Sequence, residues 1–404
     1  MHLSRVAQSI SESVTLKLNA TAAALRKAGE PLIHLGGGEP VTLAPAAAVK
    51  NAEELFRSRA IRYAPASGLP DMKAAVVDYT QRFYGHPITP ANVLISSGAK
   101  QAIAMALTAI VDPGDEVVFA APYWVSYPEM VKLAGGLPVV VEAGDGGFVP
   151  SLADFEAKLT EKTRAIIINS PSNPTGAAFE RELMQGLFAR CEERGIYILM
   201  DDIYHRLVFD GFEPPNPFTL ASDNSESSKL VVINGVSKSY AMTGYRIGWA
   251  VAAAPLVKVM GVIQGHQTSG PSSLTQLAAI GAIAEGDPDV AALVAKLQEN
   301  RDLLLGKLQA IEGVKVVPPK GTFYCFADVS AIEPDSSKLA AMLLEKVLVA
   351  AVPGVAFGRD GHLRISTCGS AEDITEGCRR LAWALDPNAG ATLEIAGKTL
   401  HRDG

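Results

Sequence analysis

The sequence predicts an α/β protein whose larger part is a mainly parallel sheet flanked by helices, followed by a smaller α+β unit. Short apolar, often β-branched runs recur along the chain, each ends in a cluster of small or polar residues, and each cluster leads into a helical pattern. The length of 404 residues exceeds a single small core and fits about two domains. A hydrophobic content of 48% with 36 glycines and 25 prolines suits a soluble α/β enzyme. No apolar run reaches the roughly 18 residues that cross a bilayer, so no membrane association is expected. The start, Met1-His-Leu-Ser-Arg, lacks the apolar core of a signal peptide, and the expected location is the cytoplasm. Cys191, Cys325, Cys368 and Cys378 have no CxxC spacing, which predicts buried free thiols and no metal site. A net charge of −7 with no basic cluster gives no electrostatic case for nucleic acid and points to a small-molecule partner.

Taken in order, residues 19–27 read as a helix with Asn19 as its cap and Gly29 as its stop. Leu32-Ile-His-Leu is a short strand entering Gly36-Gly-Gly38, a run that fits either a close approach to a ligand or a flexible turn. Residues 61–65 are extended, and an amphipathic helix covers 71–83. Val93-Leu-Ile-Ser96 is a strand, and Ser97-Gly98-Ala99-Lys100-Gln101 is a tight turn before a buried helix over 102–110. The start of that helix offers free N–H groups and a positive dipole end to an anion. The strand beginning at Val117-Val-Phe119 ends in Pro122-Tyr-Trp124, where the indole suits core packing or a ligand face. Ala165-Ile-Ile-Ile168 runs into Asn169-Ser-Pro-Ser-Asn173-Pro174-Thr-Gly176, and residues 195–200 run into Asp201-Asp-Ile-Tyr204, with Asp202 read as a helix cap.

Val231-Val-Ile-Asn-Gly235 is a buried strand that delivers Ser237 and Lys238 to the end of the sheet, where open α/β folds bind ligands. Beyond Trp249 the pattern is helical, with a helix over 273–285 and a longer one over 289–308. The second carries Leu293, Leu297, Leu304 and Leu308 at helical spacing and links to the smaller domain. Val314-Lys-Val-Val317, Phe323-Tyr-Cys-Phe326 and Leu363-Arg364-Ile365 read as strands, with a helix over 337–348, and residues 386–404 carry weak signals of any kind.

Six motifs now stand together: Ser97-Gly98-Ala99-Lys100-Gln101, Pro122-Tyr-Trp124-Val-Ser-Tyr, Asn169-Ser-Pro-Ser-Asn173-Pro174-Thr-Gly176, Asp201-Asp-Ile-Tyr204, Ser237-Lys238-Ser-Tyr-Ala-Met-Thr-Gly-Tyr-Arg246-Ile-Gly-Trp and Leu363-Arg364-Ile-Ser. In this order they resemble the fold-type I pyridoxal-phosphate aminotransferases, specifically the class I group around aspartate aminotransferase. The resemblance implies a seven-stranded sheet in the large domain and a small domain built from both chain ends. Residues 1–44 would form an N-terminal arm and part of the small domain, 45–288 the large cofactor-binding domain, and 289–404 the C-terminal small domain.

It further implies a homodimer with shared active sites that uses pyridoxal 5′-phosphate to exchange an amino group between an L-amino acid and a 2-oxo acid, aspartate and 2-oxoglutarate among them, in a two-stage ping-pong reaction. The alternative chemistry on the same apparatus is carbon–sulfur lysis or another elimination. By resemblance Lys238 bonds to the cofactor aldehyde and shuttles the substrate proton, and Asp201 pairs with the pyridine nitrogen. Tyr204 and Asn173 bind the ring oxygen, and Trp124 stacks on the ring and borders the substrate. The turn at Gly98, with the N–H groups of Ala99 and Lys100, holds the phosphate together with Ser237 and Arg246. The Lys100 side chain is left to solvent, and Tyr63 reaches the phosphate of the neighbouring subunit. Arg364 takes the substrate α-carboxylate as a fork, helped by Asn173 and the backbone of Gly38, and domain closure completes the site. Where many relatives have Asp-Phe-Asp-Thr-Pro this chain has Val41-Thr-Leu-Ala-Pro45, and no arginine or lysine offers itself for a distal carboxylate, so a neutral or aromatic substrate stays open.

Overall fold

The computed structural model describes residues 2–144, 147–386 and 388–401. The chain opens with α1 (Arg5–Ser9) and α2 (Val14–Lys27). Ser13 caps α2, its hydroxyl accepting the Leu16 N–H at 3.4 Å, so Asn19, expected as the cap, lies inside the helix. Two cap-type residues precede the same apolar face, and only packing selects between them. Gly29, at φ +81°, stops the helix as expected. β1 (Ile33–His34) follows, then α3 (Ala46–Ser58), a helix not expected from the sequence, and α4 (Pro70–Tyr84), which has Pro70 at its first turn and a left-handed Gly85 at its end.

Seven strands build the large sheet: β2 (Val93–Ser96), β3 (Glu116–Ala121), β4 (Leu137–Glu142), β5 (Thr163–Asn169), β6 (Tyr197–Asp201), β7 (Leu230–Gly235) and β8 (Gly248–Val251). Their order is β2-β8-β7-β6-β5-β3-β4. Only β8 runs against the rest, pairing antiparallel with both β2 and β7. The segment between β7 and β8 contains no α-helix, and without a crossover helix the chain returns antiparallel. Between the strands lie α5 (Ala99–Ile110), α6 (Tyr127–Leu133), α7 (Leu152–Glu156), α8 (Arg181–Arg194) and α9 (Pro217–Leu220), and after them α10 (Ala254–Gln267) and α11 (Ser273–Glu285). Two clusters of buried residues cover the two faces of the sheet, one around Val118, Ile166, Ile198 and Val232 and the other around Val117, Ile167, Leu199 and Val231. Burial on both faces is why these strands read as unbroken apolar runs rather than alternating ones.

α12 (Asp287–Leu308) leaves the large core through Val290 and enters a second one through Leu304, Leu305 and Leu308. That core holds β9 (Tyr324–Asp328), α13 (Ser336–Val347), β10 (Val349–Ala350), β12 (His362–Ser366) and α14 (Ala371–Leu385), while β11 (Val352–Pro353) buries Val352 in a smaller cluster with Phe326 and Phe357. An antiparallel sheet runs β11-β12-β9, and β1 from the N-terminal stretch pairs parallel with β10. The strand expected at 314–317 is not formed, and Lys315 makes a single bridge to Asp328. Gly313, at φ +84°, and the prolines 318 and 319 leave too little extended chain for a ladder. A hairpin of β13 (Thr392–Ile395) and β14 (Lys398–His401) occupies a stretch in which no element was expected. It turns on Ala396 and Gly397, both at positive φ, and buries Leu393 and Ile395. Met1 and residues 402–404, assigned above to the outer ends of the small domain, lie outside the described residues. All four cysteines are free and buried, as expected. Among the described residues no helix is long and apolar enough to cross a membrane.

Candidate active site

The carboxyl ends of β5, β6 and β7 meet the start of α5 around a cavity of about 310 Å³. Every residue of β7 is buried, and the chain beyond Gly235 turns Lys238 into this cavity. The Lys238 Nζ donates to the carbonyl of Gly38 at 2.6 Å and lies 5.4 Å from the centre of the Phe323 ring. Burial brings its pKa down to about 8, with Arg364 and Arg246 acting in the same direction and Cys368 and Glu39 against it.

Asp201 ends β6 and is 5% exposed. The Tyr127 hydroxyl donates to its Oδ2 at 2.5 Å, and Asn169 Nδ2 donates to its backbone carbonyl at 2.8 Å. Its Oδ1 is buried with no hydrogen-bond partner among the described residues. Burial pushes its pKa up to about 6, against the Tyr127 hydroxyl, the Ile203 N–H and the Lys238 charge. Strand alternation sends Asp202 the other way. It caps no helix, because none follows β6 directly; it accepts the Tyr84 hydroxyl at 2.5 Å, and burial raises its pKa to about 7.

At the start of α5, Gly98 has φ +88°, and a Cβ there would come within 2.5 Å of Arg246 Nη2. A Cβ on Gly248 would collide with the Ala99 N–H, so glycine lets β8 and the guanidinium approach the helix start. Arg246, itself left-handed at φ +55°, donates through Nη1 to the Thr243 carbonyl at 2.9 Å and through Nη2 to the Ser97 carbonyl at 3.2 Å. Ser237 lines the same space. Trp124 stands perpendicular to Tyr127 at 5.4 Å. Lys100 is exposed, as expected, and its ammonium also borders the cavity, 4.8 Å from the centre of the Trp124 ring.

Arg364, on β12, is 3% exposed. Its Nη1 donates to Asn173 Oδ1 at 2.9 Å, and its guanidinium lies 4.2 Å from the Tyr324 ring and 4.9 Å from that of Phe357. Nη2 donates to the carbonyl of Gly36 at 3.0 Å, and Gly38, expected to help at the substrate carboxylate through its backbone, lines the same cavity with its carbonyl accepting from Lys238. Its Nε is buried without a partner among the described residues. Tyr204, 3% exposed, packs edge-on against Phe323 and Tyr324, and burial raises its pKa. Within one chain Tyr63 is not brought to this cavity; it is 94% exposed and borders a separate surface hollow with residues 61–64 and 268–273. Asn169, Tyr127, Tyr324, Glu39 and four residues of α2 and its cap, Ser13, Thr15, Leu16 and Asn19, complete the site. The first two lie within quoted motifs; the α2 residues have no local signal, because only tertiary packing lays that helix over the cavity.

An unpartnered buried carboxylate oxygen calls for an N–H donor, which a protonated pyridine supplies. A helix start with a guanidinium beside it calls for a phosphate. Together with the largely desolvated lysine, these residues fit pyridoxal phosphate.

Residues 30–381 match the family described as Aminotransferase class I and II. The chain is 40% identical to the aspartate aminotransferase of Streptomyces avermitilis over 383 residues, 92% of this chain and 93% of that protein. It is 37% identical to the aspartate/prephenate aminotransferase of Thermus thermophilus over 388 residues, 95% of this chain and 98% of that one. Among solved structures, the Thermus thermophilus aspartate aminotransferase with maleate superposes at a TM-score of 0.89 with 36% identity, covering 95% of this chain and 99% of that one. The Thermotoga maritima aspartate aminotransferase does so at 0.88 with 35% identity, covering 94% and 99%.

Proposed function

This chain belongs to the class I and II aminotransferases, and on that premise we propose that its substrates are dicarboxylic, with aspartate as donor and 2-oxoglutarate as acceptor. The enzyme is a pyridoxal-phosphate-dependent transaminase. The observation that carries the dicarboxylate reading is Lys100, a cation in the cavity that is separate from the Arg364 fork. Aspartate, prephenate and maleate, named for its relatives, are each dicarboxylic, which supports it.

Pyridoxal phosphate, when bound, supplies an electron-withdrawing ring that takes up the electron pair left by loss of the substrate Cα proton. Arg364 binds the α-carboxylate and, held by Asn173, fixes the Cα position. Lys238, with its amine neutral above about pH 8, accepts the Cα proton and returns it. Asp201, through its unpartnered Oδ1, would keep the pyridine nitrogen protonated, and Tyr127 holds the other oxygen so that the carboxylate cannot turn away. Tyr204 and Asn173 would donate to the ring oxygen, Trp124 would cover one ring face, and the N–H groups of Ala99 and Lys100 with Ser237 and Arg246 would hold the phosphate; all but the two backbone N–H groups are offered by side chains of residues that line the cavity.

Three wider readings go with this. We take the molecule to be a homodimer in which Tyr63 serves the partner's phosphate site; the stretch 41–63 exposes Val41, Leu43, Val49, Phe56, Ile61 and Tyr63, an apolar set that a second copy would cover. Residues 45–288 would form one domain, and 1–44 with 289–404 the other, a division supported by the separate cores joined by α12. The four free thiols suit the cytoplasm.

The test is Lys100→Ala assayed with two donors. KM for aspartate should rise about tenfold while KM for alanine stays put, since only one of them has a second carboxylate. Equal losses for both donors would remove Lys100 from substrate recognition. Release of pyruvate and ammonia from a cysteine conjugate, without amino transfer, would replace the transaminase reading with the eliminating one.

A further inference from the structure

α2 lines the cavity with Thr15, Leu16 and Asn19, and its other side, Leu18, Ala22 and Leu25, packs on Leu32 and Ala350. His34, the last residue of β1, stands between that helix and the glycine run. Its Nε2 is 2.9 Å from Asn19 Oδ1, and its Nδ1 accepts the N–H of Gly36 at 3.2 Å. A nitrogen that accepts an N–H carries no proton, so the ring is neutral and its single proton, on Nε2, is donated to Asn19. Gly36 is closely confined: a Cβ there would lie 2.8 Å from Leu18 Cδ2, 3.2 Å from Val352 Cγ2 and 3.3 Å from His34 Cε1. The carbonyl of the same glycine accepts from Arg364 at 3.0 Å. One imidazole thereby joins the wall of the cavity to the residue that orients the fork.

We propose that His34 is a positioning residue, a clasp that fixes α2 and the Arg364 guanidinium relative to each other, and that protonation of its ring releases the clasp. The inference rests on Arg364 as the carboxylate fork. A proton on Nδ1 would face the Gly36 N–H donor to donor, and the contact would be lost. Burial opposes that proton first, and the two cations that face the ring, Arg26 from α2 and Arg364 from β12, oppose it too; the carbonyl of Ala350 on β10 favours it. The balance holds the imidazole below its ordinary 6.5. A released ring therefore binds a proton more readily than a clasped one, so the clasp is intact above pH 6.5 and gives way as pH falls below it.

The experiment follows amide exchange of residues 14–27 in the holoenzyme, corrected for intrinsic rates, together with binding of succinate read from the visible band of the cofactor. From about pH 7.5 to about pH 5.5, wild-type exchange in α2 should speed up about fivefold and succinate affinity should fall by a similar factor. His34→Gln, which offers an amide donor and no titrating nitrogen, should remove both steps. Asn19→Ala, which keeps the histidine, should bring α2 exchange at the higher pH to the acid level. A step that survives in His34→Gln, or exchange unmoved in Asn19→Ala, would overturn the clasp. An Arg364→Lys variant that binds succinate as tightly as wild type would sink the fork reading alone, because the exchange step needs no ligand.

Discussion

Burial acts in opposite directions on the two charged groups at the floor of the cavity, lowering Lys238 to about 8 and raising Asp201 to about 6. Only the neutral amine carries a lone pair, so uptake of pyridoxal phosphate by the cofactor-free protein should quicken as pH rises through about 8 and level off above it, a rate read by stopped-flow absorbance. Lys238→Ala should lose the visible, borohydride-reducible band altogether; a band that survives reduction trapping at another lysine would displace this assignment. Asp201→Ala should cost far more in kcat than in cofactor affinity, on the order of 100-fold or more, since the ring then loses the partner that keeps it protonated. Arg364→Lys should raise KM for every amino acid and 2-oxo acid by roughly tenfold or more, because an ammonium cannot make the planar fork. Asp201 ends an apolar strand, Arg364 interrupts one and Lys238 follows one in a turn, which made them legible as candidates, and the family resemblance supplied their roles. The place of Lys100 at the cavity was not legible, because the Trp124 ring beside its ammonium belongs to a different loop.

Between elements, the decisive contact is that of β8 with the start of α5. Its closeness depends on Gly248, whose added Cβ would strike the Ala99 N–H. Gly248→Ala should displace the helix start, weaken cofactor binding in a fluorescence titration and cost about 1–3 kcal/mol in a denaturant melt, the usual range for overpacking. Unaltered cofactor affinity in this variant would mean the phosphate is held elsewhere. The motif around Arg246 and Trp249 was readable in the sequence, but the reversal of β8 was not, since an apolar strand reads the same in either direction. Local signals also competed at α2, where Ser13 and Asn19 both suit a cap, and at 314–317, where apolar residues lie between backbone breakers. The Ala396–Gly397 hairpin, by contrast, had a readable pattern of alternating residues on either side of its turn.

At the scale of the molecule, Tyr63 is the residue that a single chain leaves unexplained: it is 94% exposed and away from the cavity. If it serves the partner's site, mixing Tyr63→Ala and Lys238→Ala chains should create hybrid dimers with one intact site and one doubly altered site. Activity at limiting cofactor should therefore recover on mixing. Two variants that never complement, or a mass near 42.5 kDa rather than twice that in light scattering, would argue for self-contained sites.

By itself the sequence determined the alternation of strands and helices and the strand ends and turns that carry Lys238, Asp201 and Asn173, because burial pattern and turn chemistry are local properties written into neighbouring residues; the class of chemistry came from the resemblance of its six motifs to a known family. Tertiary structure alone decided that the Gly36 carbonyl meets Arg364, that the Lys100 ammonium sits beside Trp124 at the edge of the cavity, that Tyr127 holds Asp201, and that α2 roofs the cavity with His34 beneath it. Each of these joins groups separated in the chain, and such contacts are fixed by how the elements pack within each core.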